Sequence, residues 1–196
     1  IVASLVGSEM CIRDRDIQGE TYEYPEEFFI ERVHNIRRPK PDDFQVKQAV
    51  EKIKNSKNPI IISGGGVFYS NAMEELSSFA IKHNIPVTQT VMGYSSMKRD
   101  HSHFLGPIGG LGGKAANNLA KQTDLAIAIG TKLADFTTGS WANFENPEFK
   151  LISINVSRFD ANKHMASSVI GDAKVSLKEL SQALGNWKAP DAWHKK

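Results

Sequence analysis

Ile60-Ile61-Ile62-Ser63-Gly64-Gly65-Gly66 is a run of β-branched residues that stops dead on three glycines. It is too short for a helix of ordinary length and has no polar alternation, which is how a strand buried on both faces reads. Asp124-Leu125-Ala126-Ile127-Ala128-Ile129-Gly130 repeats the pattern, and Leu151–Val156 (LISINV) repeats it again. Strands of this kind belong to parallel sheets, whose crossovers need a helix between them.

Working outward, the helices fall where they are needed. Asp42 or Asp43 is placed to cap a helix whose stripe is Phe44, Val46, Ala49, Val50 and Ile53, broken by Asn58-Pro59. Ser70 or Asn71 is placed to cap a second, with Met73, Leu76, Phe79 and Ala80 on one side. Ile85–Thr90 reads as a strand with Pro86 near its start, where a missing N–H is tolerated. Val91–Gly113 reads as a long irregular stretch. Lys114–Gln122 reads as a helix, Phe136–Trp141 as a loop, Val169-Ile170 as a short last strand and Ala173–Leu184 as a closing amphipathic helix. The fold class expected is α/β, a Rossmann-like parallel sheet with helices on both faces and right-handed crossovers. Ligands of such sheets bind beyond the carboxyl ends of the strands.

Composition agrees with a domain that has a core. The 196 residues are 40% apolar and 23% charged, with a net charge of +2. That excludes a disordered chain and a strongly basic nucleic-acid binder. One Cys excludes a disulfide scaffold and a cysteine-based zinc site. No apolar run approaches the ~18–20 residues of a membrane span. The expectation is a soluble, cytoplasmic protein without nucleic-acid or membrane partners.

The ends read differently from the middle. Ile1–Arg15 (IVASLVGSEMCIRDR) has no start Met and resembles translated adapter sequence, so residues 1–15, including Cys11, are expected to lie outside the fold. Residues 16–41 read as a linker with Pro25, Pro39 and Pro41, an acidic cluster followed by a basic one, and the aromatics Tyr22, Tyr24, Phe28 and Phe29. X-Pro steps keep such a segment extended. The charges are expected to form a solvated face and the aromatics to lie along a domain surface. Residues 42–184 read as one α/β domain, and 185–196 as the start of another linker.

Three segments carry candidate chemistry. Gly64, Gly65 and Gly66 precede a helix and read either as a phosphate cradle or as a tight strand-to-helix turn; the spacing is not G-x-G-x-x-G, and no acidic residue closes the next strand at Thr90. Gly106–Gly113 (GPIGGLGG), with Gly109, Gly110 and Gly112, reads as a second anion cradle or a flexible loop, and the two loops are placed to converge on one cleft. Phe136–Trp141 (FTTGSW) offers the hydroxyls of Thr137, Thr138 and Ser140 and an indole, for a polyol or a neighbouring domain, or for helix capping. His101-x-His103 has no third ligand nearby, so no metal site is expected, and no spacing supplies a nucleophile or general base.

Four segments together resemble the central part of thiamine-diphosphate-dependent enzymes: Asp16–Pro39 (DIQGETYEYPEEFFIERVHNIRRP), Ile62–Ser70 (ISGGGVFYS), Gly130–Trp141 (GTKLADFTTGSW) and Asn155–His164 (NVSRFDANKH). Within that family the resemblance is nearest to the C–C hydrolases that open a cyclic 1,2-dione to 5-deoxy-glucuronate in myo-inositol catabolism, and it covers Asp16–Trp193. It implies three α/β domains, with the catalytic glutamate in a pyrimidine-binding domain before this chain and the G-D-G…N motif for the Mg²⁺-bound diphosphate in a domain after it. Gly171-Asp172-Ala173 is not that motif, so no catalytic residue or metal ligand carries over. Thiamine diphosphate and Mg²⁺ are implied outside the chain, with the two flanking domains as partners and a homo-oligomer as the assembly. An isolated central domain is then expected to be inactive, to expose faces its partners would cover, and to self-associate. Relatives such as acetohydroxyacid synthase hold FAD in this domain without redox use; nothing in these residues demands a flavin. An FAD- or ADP-binding domain of that kind, or a free-standing nucleotide-binding module, is the alternative. A sirtuin-like deacylase shares the broad fold but commonly needs four zinc cysteines.

Overall fold

Six parallel strands form one sheet: β1 (Pro59–Ser63), β2 (Val87–Gln89), β3 (Phe104–Pro107), β4 (Leu125–Ile129), β5 (Lys150–Asn155) and β6 (Ser167–Ile170), in the spatial order β3-β2-β1-β4-β5-β6. They are seen in a computed structural model that describes residues 19–194; the expectations for residues 1–15 and for Asp16–Gln18 fall outside those residues. The chain divides into two units, Ile1–Ile36 and Arg37–Lys196. In the first, the described residues carry a 3-10 turn at Glu26–Phe29 led by Pro25, and the rings of Tyr24, Phe28 and Phe29 touch one another at 4.8–6.2 Å.

The second unit holds the sheet. β1 and β4 are its centre, and every residue of both is buried. Their alternate side chains feed two cores. Ile61, Leu125, Ile127 and Ile129 face one side, with Ile152, Ile154 and Val169. Ile60, Ile62, Ala126 and Ala128 face the other. Each Ile so buried contributes roughly 1.5–3 kcal/mol against leaving it in water. Helices α1 (Asp43–Asn55), α2 (Gly65–Tyr69), α3 (Met73–His83), α4 (Lys114–Gln122), α5 (Asp135–Thr138), α6 (Arg158–Ala161), α7 (Ala173–Leu184) and α8 (Asp191–His194) connect and cover the strands. The first core is sealed by α1, α3 and α7, the second by α4 and Trp193. Helices therefore lie on both faces, as expected for this class.

Local chemistry sets the helix ends. Asp42 accepts from Phe44 N at 2.8 Å and starts α1. Asp172 accepts from Lys174 N and Val175 N and starts α7. The same carboxylate pairs with Arg38 at 3.2 Å, and Arg38 also donates to the Ser70 carbonyl. Part of the basic cluster is thus tied down rather than solvated. Ser70 and Asn71 do not cap α3: the N-cap is Ala72, without a side-chain bond, because α2 already occupies Gly65–Tyr69. Phe44, assigned to the α1 stripe, is exposed. β3 lies inside the stretch read as irregular. It is an edge strand, broken by a register shift opposite Val87/Thr88 and by Gly106 at φ +92°, so it shows no strand periodicity.

The segment after α7 packs back onto the domain. Trp193 is buried, and its Nε1 donates to Pro59 O at 2.7 Å. Ala189 N donates to His83 O. His83 itself is fully buried; its Nδ1 lies 2.7 Å from Trp187 O and its Nε2 3.2 Å from Ser181 Oγ. A carbonyl only accepts, so Nδ1 carries the proton; burial disfavours a second proton, which leaves Nε2 to accept from the serine hydroxyl. Burial holds the His83 pKa below its ordinary 6.5. The unfolded chain therefore binds more protons than the native one once pH falls below about 6.5, and His83's contribution, present above that pH, is lost as pH drops toward the folded value. Urea unfolding should show lower stability at pH 5.5 than at 7.5. His83→Gln should flatten that dependence; an unchanged slope in the variant would contradict the assignment.

Candidate functional site at the switch point of the sheet

The strand order reverses between β1 and β4, and in sheets wound this way the crevice at that reversal is where ligands sit. The register places Ser63 beside Ile129, so the two loops leave the sheet at one level. Gly64 N donates to Ile129 O (2.8 Å), Gly66 N to Gly130 O (2.9 Å) and Gly130 N to Ile154 O (2.8 Å). The backbones touch: a Cβ on Gly66 would lie 2.6 Å from Gly130 Cα, and Gly130 has φ +60°, a left-handed conformation that suits glycine. Close approach of two loops is what the glycine run serves here.

Above this contact lies a cavity of about 420 Å³, walled by Gly65, Gly66, Tyr69, Met92, Lys132 and Phe136, among others. Thr137 also lines it. Gly64 lies beneath, under Gly130 and Thr131. The second glycine loop reaches the same region from behind. Gly109 N donates to Asn117 Oδ1 and Asn117 Nδ2 returns to Gly109 O, both at 3.0 Å. Gly110 N donates to Phe136 O, Gly112 N to Gly109 O and Gly113 N to Pro107 O. Gly109 sits at φ +99°, where a side chain would strike Phe136 O. The loops do converge, but Gly109 and Gly110 pack against Phe136 and Gly112 against Gly109 and Asn117, and none of the three lines the cavity. Asn117, whose amide clamps the loop, has no signal in the sequence beyond its place on an amphipathic helix.

The Phe136–Trp141 segment is not a loop throughout. Asp135–Thr138 is a helical turn. Thr138 is fully buried; its Oγ1 donates to Asp135 O and accepts from Trp141 N. Ser140 Oγ bonds Asp135 Oδ2 at 3.1 Å. These hydroxyls close their own turn. Gly139, Ser140 and Trp141 are all left-handed, and so are His164 and Met165, whose segment meets Trp141 ring to ring at 4.6 Å. A non-glycine residue held there costs on the order of 1–3 kcal/mol.

The groups implied by the family resemblance can be set against these residues. Asp172 of Gly171-Asp172-Ala173 is spent on the α7 cap and Arg38. His103 Nε2 lies 3.3 Å from Asn84 Oδ1, and no cluster of three metal-ligating side chains occurs among the described residues. This donor set does not fit a Mg²⁺-bound diphosphate. A nucleotide diphosphate fits poorly as well, since six glycine N–H groups of the two loops, those of Gly64, Gly66, Gly109, Gly110, Gly112 and Gly113, all donate within the chain. No helix of the described residues is long and apolar enough to cross a membrane.

The fold and its crevice define a doubly wound α/β module of the dinucleotide-binding type whose crevice is closed at the floor. Comparison with known proteins places it further. Residues 46–180 match the family described as thiamine pyrophosphate enzyme, central domain, and the chain belongs to that family. It is 49% identical over 176 residues to a 3D-(3,5/4)-trihydroxycyclohexane-1,2-dione hydrolase of Clostridium perfringens, a match that covers 89% of this chain and 28% of the relative. The chain thus spans a little over a quarter of the length of the curated relatives it matches. Among solved structures, a putative thiamin diphosphate-dependent enzyme from Mycobacterium smegmatis superposes with a TM-score of 0.63 at 20% identity, over 80% of this chain and 30% of that one. Benzoylformate decarboxylase from Polynucleobacter necessarius also gives 0.63, at 21% identity, over 86% and 33%. These two likenesses concern the fold.

The loop contact makes a direct prediction. Gly66→Ala and Gly130→Ala should each destabilise the domain by about 2–3 kcal/mol or more, since an added methyl has only backbone to displace. At Gly113 an added Cβ meets nothing nearer than Pro107 O at 3.9 Å, so Gly113→Ala should cost under about 1 kcal/mol. Urea unfolding of the three variants checks the ranking; equal losses would refute the contact.

Proposed function

We propose that the chain is the central domain of a thiamine-diphosphate-dependent hydrolase that opens 3D-(3,5/4)-trihydroxycyclohexane-1,2-dione by cleaving a C–C bond, with a structural and assembly role. The 49% identity to a relative of that name supports the substrate. The observation that carries the role is the state of the glycine loops: the N–H groups of Gly64, Gly66, Gly109, Gly110, Gly112 and Gly113 bind the chain itself, and the crevice is lined mainly by Tyr69, Met92, Phe136 and other apolar groups. Tyr69, Met92 and Phe136 are 72%, 71% and 55% exposed. Apolar side chains grouped at one edge are what a docking face presents. The flanking pyrimidine- and diphosphate-binding domains of the parent are the proposed cover, in a cytoplasmic homo-oligomer.

Thiamine diphosphate and Mg²⁺ belong, in this reading, to those other domains, because no cluster of metal-ligating side chains occurs among the described residues. The alternative, a central domain holding FAD or ADP, is favoured by the 420 Å³ cavity at the switch point but not by its donors.

The parent enzyme with both flanking domains should hydrolyse the dione when supplied with thiamine diphosphate and Mg²⁺, and the 196-residue chain should not. Separately, FAD, ADP and coenzyme A should each leave the melting temperature of the chain unchanged, since a ligand of the native state alone would raise it. An inactive full-length parent would overturn the substrate; a saturable rise with FAD or ADP would overturn the structural role.

A further inference from the structure

We infer that the opposite, amino edge of the sheet carries a second binding cleft, one that takes a planar aromatic anion. Three cavities of about 340, 460 and 530 Å³ open along this edge, the first where β4 and β5 begin and the other two where β5 and β6 begin. Lys52 and Lys150 are the only residues that line all three. Lys52 lies in the last turn of α1, and Lys150 is the first residue of β5. Packing of α1 across this end of the sheet brings the two cations together. Neither joins an ion pair among the described residues, so both ammonium groups keep their charge for a ligand.

The middle cavity has the composition of a recognition site. No carboxylate lines it; Asp124 and Glu148 line one neighbouring cavity and Glu51 the other. The same cavity is lined by the rings of Trp141, Phe149 and His164, of which Trp141 and Phe149 are half-buried and rest on the second core, with Trp141 also against Phe144 at 5.5 Å. Trp141 packs against His164 at 4.6 Å, and Phe149 stacks on Phe144 at 4.6 Å with 28° between planes. The two turns that present Trp141 and His164 are the left-handed pairs Ser140-Trp141 and His164-Met165. Flat rings opposite two cations suit a flat ligand that carries negative charge: the ring system lies on the indole and the anion lies between the ammonium groups. An aryl phosphate or aryl carboxylate has this shape. The site is independent of the switch-point crevice and of the proposed reaction, and its failure would leave both intact.

Titration of the 196-residue chain with phenyl phosphate, followed by tryptophan fluorescence and calorimetry, tests it. Phenyl phosphate should bind saturably at one site. Inorganic phosphate and phenol, each lacking one half of the ligand, should bind at least roughly tenfold more weakly. The double variant Lys52→Met/Lys150→Met should lose roughly tenfold or more, and Trp141→Ala should lose the fluorescence response and affinity while Trp141→Phe keeps most of the affinity. The lysine pair is on the surface, so that variant decides the matter even if Trp141→Ala fails to fold. Absence of saturable binding, equal affinity for inorganic phosphate, or full affinity in the double-lysine variant would each overturn the proposal.

Discussion

The contact between Gly66 and Gly130 is the constraint around which this domain is arranged. Two central strands end at the same level, and the loops that leave them have nowhere to go except against each other. Backbone can approach backbone this closely only without side chains. Once there, the buried N–H groups need partners, and the nearest acceptors are the carbonyls of Ile129, Gly130 and Ile154. The same hydrogen bonds start α2 immediately after β1, align the two halves of the sheet, and close the floor of the crevice. Of the glycines read as a phosphate cradle or a tight turn, Gly64 and Gly66 form a seam with Gly130, and Gly65 faces Met92.

That difference marks what one sequence can disclose. β1 and β4 were legible because burial on both faces leaves an unmistakable apolar run. α4 and α7 have the limits read from their patterns, Lys114–Gln122 and Ala173–Leu184. β3 was not legible: at the edge it is only half-buried, and Gly106 and Pro107 interrupt it. α2 hid in the glycine run, whose residues have poor helix propensity, and it forms because Gly66 N is held by the neighbouring loop. At the site, the convergence of the glycine loops with Phe136 and Thr137 could be anticipated from chain order. The fate of their donors could not. Gly109 is satisfied by Asn117 and Gly110 by Phe136 O, and such pairings are tertiary.

The two edges of the sheet consequently have different characters. The carboxyl edge keeps the position of a nucleotide site but presents apolar groups, with Lys132 as the cation on the wall of its cavity. The amino edge, where helices end and ligands are not expected, holds Lys52 and Lys150, which join no ion pair among the described residues, in one cavity with Trp141, Phe149 and His164. The proposed docking of the flanking domains would account for the first edge as a surface between domains. It offers no account of the second, whose two left-handed turns are kept without glycine at Trp141 and His164.

Amide hydrogen exchange at the glycines measures the central claim most directly, because it reports donors one by one. In the chain without added ligand, Gly64, Gly66 and Gly110 amides should exchange as slowly as those of neighbouring core strands, and saturating FAD or ADP should leave their rates unchanged. Fast exchange at these glycines that becomes slow on adding either nucleotide would mean the donors wait for a phosphate, and would contradict the account.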